Sequence, residues 1–314
     1  MQQQQLKPKA QLHKQTHQRR TMLMISQITL LVSFFISCVS AQTTAVVFGG
    51  SGAVGSEVLK SVLSDEFFDE VVVVGRHSSF KKIDEIVSSD AGDTKVTTVN
   101  LARLEDISTY ADIDRADACL IALGAGAPHH DNLQHWLSVE IDLIRTIAEF
   151  CNKIHVRSIS LLSAVDVENE SAASFTKEEI ESYGEGSLGW INMIILYMRI
   201  KGLEERAVIE SAKDVEYIRL FQPNTIVTEQ PRYGWFDATL FQLHKLVDPY
   251  LPARYHSVHV RLLGAAMVAD AKMKLQEEVR DGTQQDVSKL SYEDFVSVAG
   301  KAFQDSLEAK EDEL

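Results

Sequence analysis

Cysteine is scarce. The 314-residue chain holds three, Cys38, Cys119 and Cys151, too few for a disulfide framework. Cys119 lies in a strand-like run and Cys151 ends a helix-like one, so both are read as small buried hydrophobes. Positive charge is also short: 31 Lys and Arg stand against 45 Asp and Glu, a formal net charge of −14. That balance argues against nucleic acid and against anionic membrane surfaces as partners, since both attract clustered Lys and Arg. A long uninterrupted apolar run is missing. The one extended apolar stretch, residues 22–39, is diluted by Ser26, Gln27, Thr29, Ser33 and Ser37, which counts against a permanent membrane span. There is no internal repeat and no linker-like segment after residue 42. No metal is expected: His129-His130-Asp131 with His135 matches no zinc spacing. What is present is a hydrophobic content of 45%, enough for a sizeable core.

Both ends read as addresses. Residues 2–20 are polar and basic, residues 22–39 are apolar, and Val39-Ser40-Ala41 places small residues where a signal peptidase reads. That order describes a secretory signal peptide over residues 1–41, with no stable span left after its removal. A retained membrane anchor and an organellar transit peptide are the alternatives, the second because of the long basic stretch. Removing the leader leaves 26 basic against 45 acidic residues, a net −19. The acidic tail, 301–314, ends in Glu311-Asp312-Glu313-Leu314, which resembles the ER-retrieval tetrapeptide with Glu in its first position. Leader and tail together point to the secretory pathway and the ER lumen. Asn169-Glu170-Ser171 is a glycosylation sequon in a polar stretch, which fits a lumenal surface loop.

From residue 43 onward strands and helices alternate, the signature of an α/β fold with a doubly wound parallel sheet. Strands are expected at 45–48, 71–74, 95–99, 118–123, 158–162 and 215–220, and helices at 57–63, 137–151 and 191–212. A strand turning into a helix is expected over 258–274. Val71-Val72-Val73-Val74 is a continuous β-branched run, as a strand covered on both faces requires. The spacing predicts one domain over 42–300, with an insertion at 166–190.

The densest signal is Val46-Val47-Phe48-Gly49-Gly50-Ser51-Gly52-Ala53-Val54-Gly55. A short apolar strand runs into glycines at three-residue spacing, and a helical pattern follows at once. That order opens a dinucleotide-binding βαβ unit. Gly49 is expected to permit the tight turn, Gly52 to admit a pyrophosphate, and Gly55 to let the helix pack close. N–H groups at the helix start then face the phosphates, helped by the helix dipole.

A second constellation lies downstream. Tyr197-Met198-Arg199-Ile200-Lys201 places Tyr and Lys one turn apart on one helix face. Ser163 sits where the fifth strand runs out, at the carboxyl edge where such sheets bind ligands. Reducing a carbonyl by hydride needs a proton donor beside the developing alkoxide. A tyrosine serves if a nearby ammonium favours its phenolate, and a serine hydroxyl can hold the carbonyl oxygen.

The glycine loop, Ser163 and the Tyr197/Lys201 pair resemble the short-chain dehydrogenase/reductase superfamily. The Gly-x-x-Gly-x-x-Gly spacing is similar to its extended and atypical branches. Val74-Gly75-Arg76, Leu161-Leu162-Ser163, Arg219-Leu220-Phe221-Gln222-Pro223 and His256-Ser257-Val258 resemble the Tat-interacting-protein-like oxidoreductases. The resemblance covers about residues 44–275 and implies a Rossmann sheet of order 3-2-1-4-5-6 with a bound nicotinamide cofactor. It implies cofactor contacts from Gly49, Ser51, Gly52, Ala53, Val54, Gly55, Arg76, Asn100, Leu101, Leu123, Gly124, Lys201 and Pro223. Ser163 would orient the carbonyl, Tyr197 would pass the proton, and Lys201 would lower the tyrosine pKa and hold the nicotinamide ribose.

The end of the second strand bears on the choice of cofactor. An NAD site places Asp or Glu there; this chain has Gly75-Arg76-His77, with Lys81 and Lys82 close behind. A guanidinium suits a 2′-phosphate, so NADP(H) is favoured over NAD(H). At Asn100 the resemblance would place Asp against the adenine. Ser163 and Tyr197 lie 34 positions apart, more than the family usually allows. The excess is an acidic, Ser-rich stretch that reads equally as a lid or as a surface insertion. Ser160 is a poorer alternative to Ser163 because it lies inside the strand. Gln230-Pro231-Arg232-Tyr233-Gly234-Trp235-Phe236 reads equally as pocket lining or core.

The sequence therefore predicts an NADP(H)-dependent oxidoreductase acting on a small carbonyl or alcohol substrate, and a homo-oligomer is compatible with it. A non-catalytic NADPH-binding regulatory or scaffold protein is the alternative, and a sugar-nucleotide epimerase or dehydratase with tightly held NAD is a third. For the leader, N-terminal sequencing of protein expressed in eukaryotic cells should find Gln42 first. A chain that still begins near Met1 or Met22 would overturn the cleavage.

Overall fold

The computed structural model describes residues 42–92, 94–124, 133–167, 190–228, 246–278 and 285–300. The leader, the bulk of the 166–190 insertion with its sequon, His129-His130-Asp131, the 230–236 segment and the acidic tail lie outside the described residues.

Strand β1 (Thr44–Phe48) is followed by helix α1 (Ala53–Leu63), then β2 (Glu70–Arg76), α2 (Phe80–Asp90) and β3 (Lys95–Leu101). After β4 (Ala118–Ile121) comes α3 (Leu133–Leu137), which runs through a π-helical stretch, Ser138–Leu143, into α4 (Ile144–Lys153). Then follow β5 (Ser158–Leu162), α5 (Trp190–Ser211), β6 (Tyr217–Phe221), and a two-residue pair of strands, β7 (Ile226–Val227) and β8 (Val258–His259). The chain closes with α6 (Val260–Gln276), β9 (Asp286–Leu290) and α7 (Tyr292–Ala299).

The main sheet has seven strands in the order β3-β2-β1-β4-β5-β6-β9, every neighbouring pair parallel. This is the expected doubly wound Rossmann sheet, extended at one edge by β9, which the sequence reading missed. Strand β9 alternates half-exposed and exposed positions, so its apolar content is low and no hydrophobic run betrays it.

Alternation within the inner strands builds a core on each face. Ala45, Val47, Val71, Val73 and Leu120 face α1, α2 and α6, where Val58, Leu59, Ile83, Leu263 and Met267 meet them. Val46, Phe48, Val72, Val74 and Ile121 face the other way, against Ile144, Ile147, Ala148 and Val208 of α4 and α5. Each fully buried aliphatic side chain contributes about 1.5–3 kcal/mol, so the Val71–Val74 run alone anchors β2 from both sides. A smaller third cluster, Trp136, Leu137, Ile141, Leu196, Ile200 and Leu203, joins α3 and its π-helical extension to α5.

At the β6–β9 edge the fastening is ionic. Buried Arg219 donates to both carboxylate oxygens of Asp286, 3.1 Å each. Asp270 of α6 stands 3.7 Å from the Arg219 Nε. Burial pushes the Asp270 carboxyl up to about 6, against the downward pull of Arg219 and Lys274. A folded pKa above the unfolded one means the fold favours the protonated form. Stability from this group is present below the unfolded pKa and is lost as pH rises through about 6. Thermal unfolding should show Tm climbing as pH is lowered from about 6.5 to about 4, an effect of at most about 3 kcal/mol. Asp270→Asn leaves the Arg219–Asp286 pair in place and should flatten that climb; an unchanged slope would exclude Asp270 as its source.

Candidate functional site

Where strand order reverses, between β1 and β4, the chain after β1 meets the chain after β4. Gly49 has φ 87°, and a Cβ there would lie 2.4 Å from the Ala122 carbonyl oxygen. Gly55, in the first turn of α1, is tighter still: its Cβ would lie 1.9 Å from the Gly49 oxygen. Only glycine satisfies either position. The Gly52 N–H closes the turn onto the Gly49 oxygen at 2.8 Å, and Gly52 caps α1 with no side-chain hydrogen bond. The first turn, Ala53 to Gly55, carries no acidic side chain, and first-turn N–H groups have no intrahelical acceptor. The result is a backbone cradle with partial positive charge, bare of side chains where the backbone must come close. These residues fit the pyrophosphate of a dinucleotide. Ser51, at the tip, accepts a hydrogen bond through its carbonyl from Lys82 Nζ at 2.8 Å, which brings an α2 cation to the cradle.

Arg76 is the last residue of β2 and is exposed. Its guanidinium has no hydrogen-bond or ion-pair partner among the described residues. Asn100 pairs in register with Gly75, and Leu101 with Arg76, so the four meet at the carboxyl edge of β2 and β3. The Asn100 amide oxygen is in hydrogen-bond contact with His77 Nδ1. Leu123 and Gly124 follow β4; a Cβ on Gly124 would stand 3.4 Å from Glu140 Oε1.

Glu140 leads to the other end of the site. It lies in the π-helical stretch and is buried, and its Oε2 accepts from Lys201 Nζ at 3.0 Å. Lys201, only 3% exposed, also reaches the Leu162 carbonyl at 3.3 Å and forms an ion pair with Glu204. Tyr197, one turn earlier on α5, stacks on Trp136 with ring centroids 6.0 Å apart and planes at 19°. The Trp136 indole N–H is buried without a hydrogen-bond partner among the described residues. Thus the structure brings Lys201 to the carboxyl end of β5, at the residue before Ser163, while Tyr197, one turn earlier on α5, packs against Trp136.

Ser163 itself is held differently from the expectation. Its N–H donates to the Phe221 oxygen at 2.7 Å, and its hydroxyl donates to Glu205. Glu205 also accepts from Gln222 Nε2 at 2.8 Å and has Lys289 of β9 3.9 Å away. A hydroxyl committed to a buried carboxylate must break that bond before it can orient a carbonyl. Pro223 accepts from the Val165 N–H at 3.0 Å, tying the segment after β6 to the one after β5. Ser160 lies within β5, buried, its hydroxyl unpartnered among the described residues.

Glu140, Glu204 and Glu205 are the residues that sequence reasoning missed. A signal existed for the first: Glu140 falls on the apolar stripe Leu137, Ile141, Ile144, and a carboxylate there demands a buried partner. Burial alone would pull the Lys201 ammonium pKa down, but Glu140, Glu204 and Tyr197 outweigh it and hold the lysine above its ordinary range. Burial pushes the Glu204 carboxyl up despite Lys201 beside it. It pushes Glu205 up as well, against the hydrogen bonds from Ser163 and Gln222. Two buried carboxyls, Glu140 and Glu204, therefore share one buried ammonium, with the buried Glu205 close by on its own partners.

Removing that ammonium should be costly. Lys201→Met is expected to lower the unfolding free energy by about 3–5 kcal/mol, because it strands buried carboxylates. Burial already holds Glu204 and Glu205 above their unfolded values, so the variant should recover stability as pH falls from neutral toward the carboxylate range. Adding Glu140→Gln in the Lys201→Met background should restore part of the loss in a denaturant titration. Strict additivity of the two substitutions would exclude the coupling.

The NAD(P)H-binding family model matches residues 49–225. The protein called fmp52-2, mitochondrial, of Aspergillus terreus is 22% identical over 205 residues, covering 65% of this chain and 76% of that protein. A short-chain dehydrogenase/reductase from Serratia marcescens superposes with a TM-score of 0.52 at 14% identity, over 80% of this chain and 97% of that one. Gre2 of Candida albicans, in complex with NADPH, gives 0.51 at 14% identity, over 79% and 78%. At such identities the structural likeness speaks for the fold alone, and the family match spans more than half of the chain. With its glycine cradle at the point where the strand order reverses, this chain belongs to the NAD(P)H-binding family and has the Rossmann fold of the short-chain dehydrogenases/reductases.

Proposed function

We propose that the protein is an NADP(H)-dependent oxidoreductase that interconverts a carbonyl and an alcohol on a small substrate. The observation that carries this reading is the buried Glu140–Lys201 ion pair, with the Glu140 Oε1 3.4 Å from where a Cβ on Gly124 would lie and Tyr197 one helical turn before Lys201. When bound, the nicotinamide supplies or accepts the hydride. The chain's own part is to hold the phosphates on the first turn of α1 and to move one proton at the Tyr197 hydroxyl. The buried Lys201 ammonium favours the phenolate, while Glu140 and Glu204 temper that field. Arg76, exposed and without a partner among the described residues, supports NADP(H), because its planar fork suits a 2′-phosphate.

One observation favours the second reading, a non-catalytic NADPH-binding regulatory or scaffold protein. Lys201 is clamped by two carboxylates and the Ser163 hydroxyl is bound to Glu205, so neither is open to a substrate in this arrangement. For the cellular address, the leader and tail support the secretory pathway. The mitochondrial label of the Aspergillus terreus relative supports the organellar alternative.

Fluorescence titration with NADPH and separately with NADH tests the cofactor. NADPH should bind at least about tenfold more tightly, and Arg76→Ala should erase most of that difference while leaving NADH affinity nearly unchanged. A preference for NADH would overturn the Arg76 reading. Once a carbonyl substrate is found, Tyr197→Phe should abolish turnover with cofactor affinity retained. Surviving turnover would sink the proton-transfer role, and binding without turnover on any carbonyl in a broad panel would favour the regulatory reading.

A further inference from the structure

We propose that Cys119 and Cys151 are the two halves of a buried disulfide that ties the inner strand β4 to helix α4. Their sulfur atoms lie 2.7 Å apart across 32 positions of sequence. Both are free thiols in the structure, and a covalent sulfur–sulfur bond is about 2.05 Å, so the sulfurs need approach by only a fraction of an ångström to bond. The surroundings offer the thiols nothing else. Cys119 is flanked in register by Val46 and Ile159, and Cys151 sits among Ile144, Ile147, Ala148 and Ile154. Both are fully buried, and neither has another hydrogen-bond partner among the described residues. Neither takes part in the site described above, and the inference does not depend on the proposed activity.

The chemistry balances with a small-molecule disulfide, such as glutathione disulfide, as oxidant. One cysteine thiolate attacks the glutathione disulfide, forming a mixed disulfide and releasing one glutathione thiolate. The second cysteine thiolate attacks the protein sulfur of that mixed disulfide and releases the other glutathione. The two cysteines lose two protons and two electrons, and the glutathione disulfide gains both as two thiols. Timing follows from burial, which pushes the Cys119 thiol well above its ordinary range, with Cys151 adding to the shift. Thiolate is scarce once the core has closed, so the bond forms while the chain folds and is shielded from reductants afterwards. Closing this loop restricts the unfolded chain and so stabilises the fold.

The test is peptide mapping of the full chain, whose third cysteine, Cys38, serves as an internal competitor. The protein is unfolded with dithiothreitol, refolded in a glutathione redox buffer, alkylated in denaturant and digested without reduction. The expected result is one linked peptide pair holding Cys119 and Cys151, with Cys38 alkylated. The Tm should fall by about 5–10 °C when the linked protein is reduced. Cys151→Ala should abolish both the link and the Tm difference. Recovery of Cys119 and Cys151 as separate alkylated peptides, or a link through Cys38, would overturn the proposal. Should refolding fail, the same mapping is done on never-denatured protein held with glutathione disulfide just below its Tm, where the same two outcomes decide.

Discussion

The approach of the Gly49 backbone to Ala122 and to the first turn of α1 is the contact on which the rest of the molecule depends. With Cβ positions at 2.4 Å and 1.9 Å from carbonyl oxygens, neither Gly49 nor Gly55 tolerates a side chain. Their smallness lets β1 and β4 lie side by side while α1 starts directly above the strand ends. That geometry aims the α1 dipole at the crevice and leaves first-turn N–H groups facing it. The parallel sheet then extends outward in both directions, each strand covered by helices that the short βα turns return to it.

A second constraint is electrostatic. Burying Lys201 with Glu140, Glu204 and Glu205 nearby places more acid than base in a low-dielectric region, where leaving any one group unpaired is costly. The structure meets this with an ion pair on each side of Lys201, a backbone carbonyl, and hydrogen bonds from Ser163 and Gln222. These contacts hold α5 and the π-helical stretch against β5. The edge strand β9 takes part as well, since Lys289 reaches both Glu205 and the Val167 oxygen.

Much of this was legible in the residue order. The Val71–Val74 run, the glycine spacing and the Tyr197/Lys201 interval are local patterns, and local patterns report strand, turn and helix face directly. The less legible parts depend on partners far away in sequence. Asp286–Leu290 is a strand because β6 offers it a parallel edge and Arg219 binds its first residue, while its own alternation is weakly apolar. Glu140 stood in plain sight on an apolar stripe, but its reason for being there is Lys201, 61 positions downstream. The two core cysteines read as small hydrophobes because nothing local shows that β4 and α4 bring their sulfurs together.

By itself, then, the sequence determined the α/β alternation, the cradle glycines, the charge left at the end of β2 and the helix face shared by Tyr197 and Lys201. Each follows from backbone sterics or from a periodicity of a few residues. Tertiary structure alone decided that Ser163 donates to Glu205, that two carboxylates clamp Lys201, that a seventh strand closes the sheet and that two distant thiols meet. The physical reason is burial. Desolvation favours pairing of buried polar and reactive groups, and which partner each finds depends on how the layers pack.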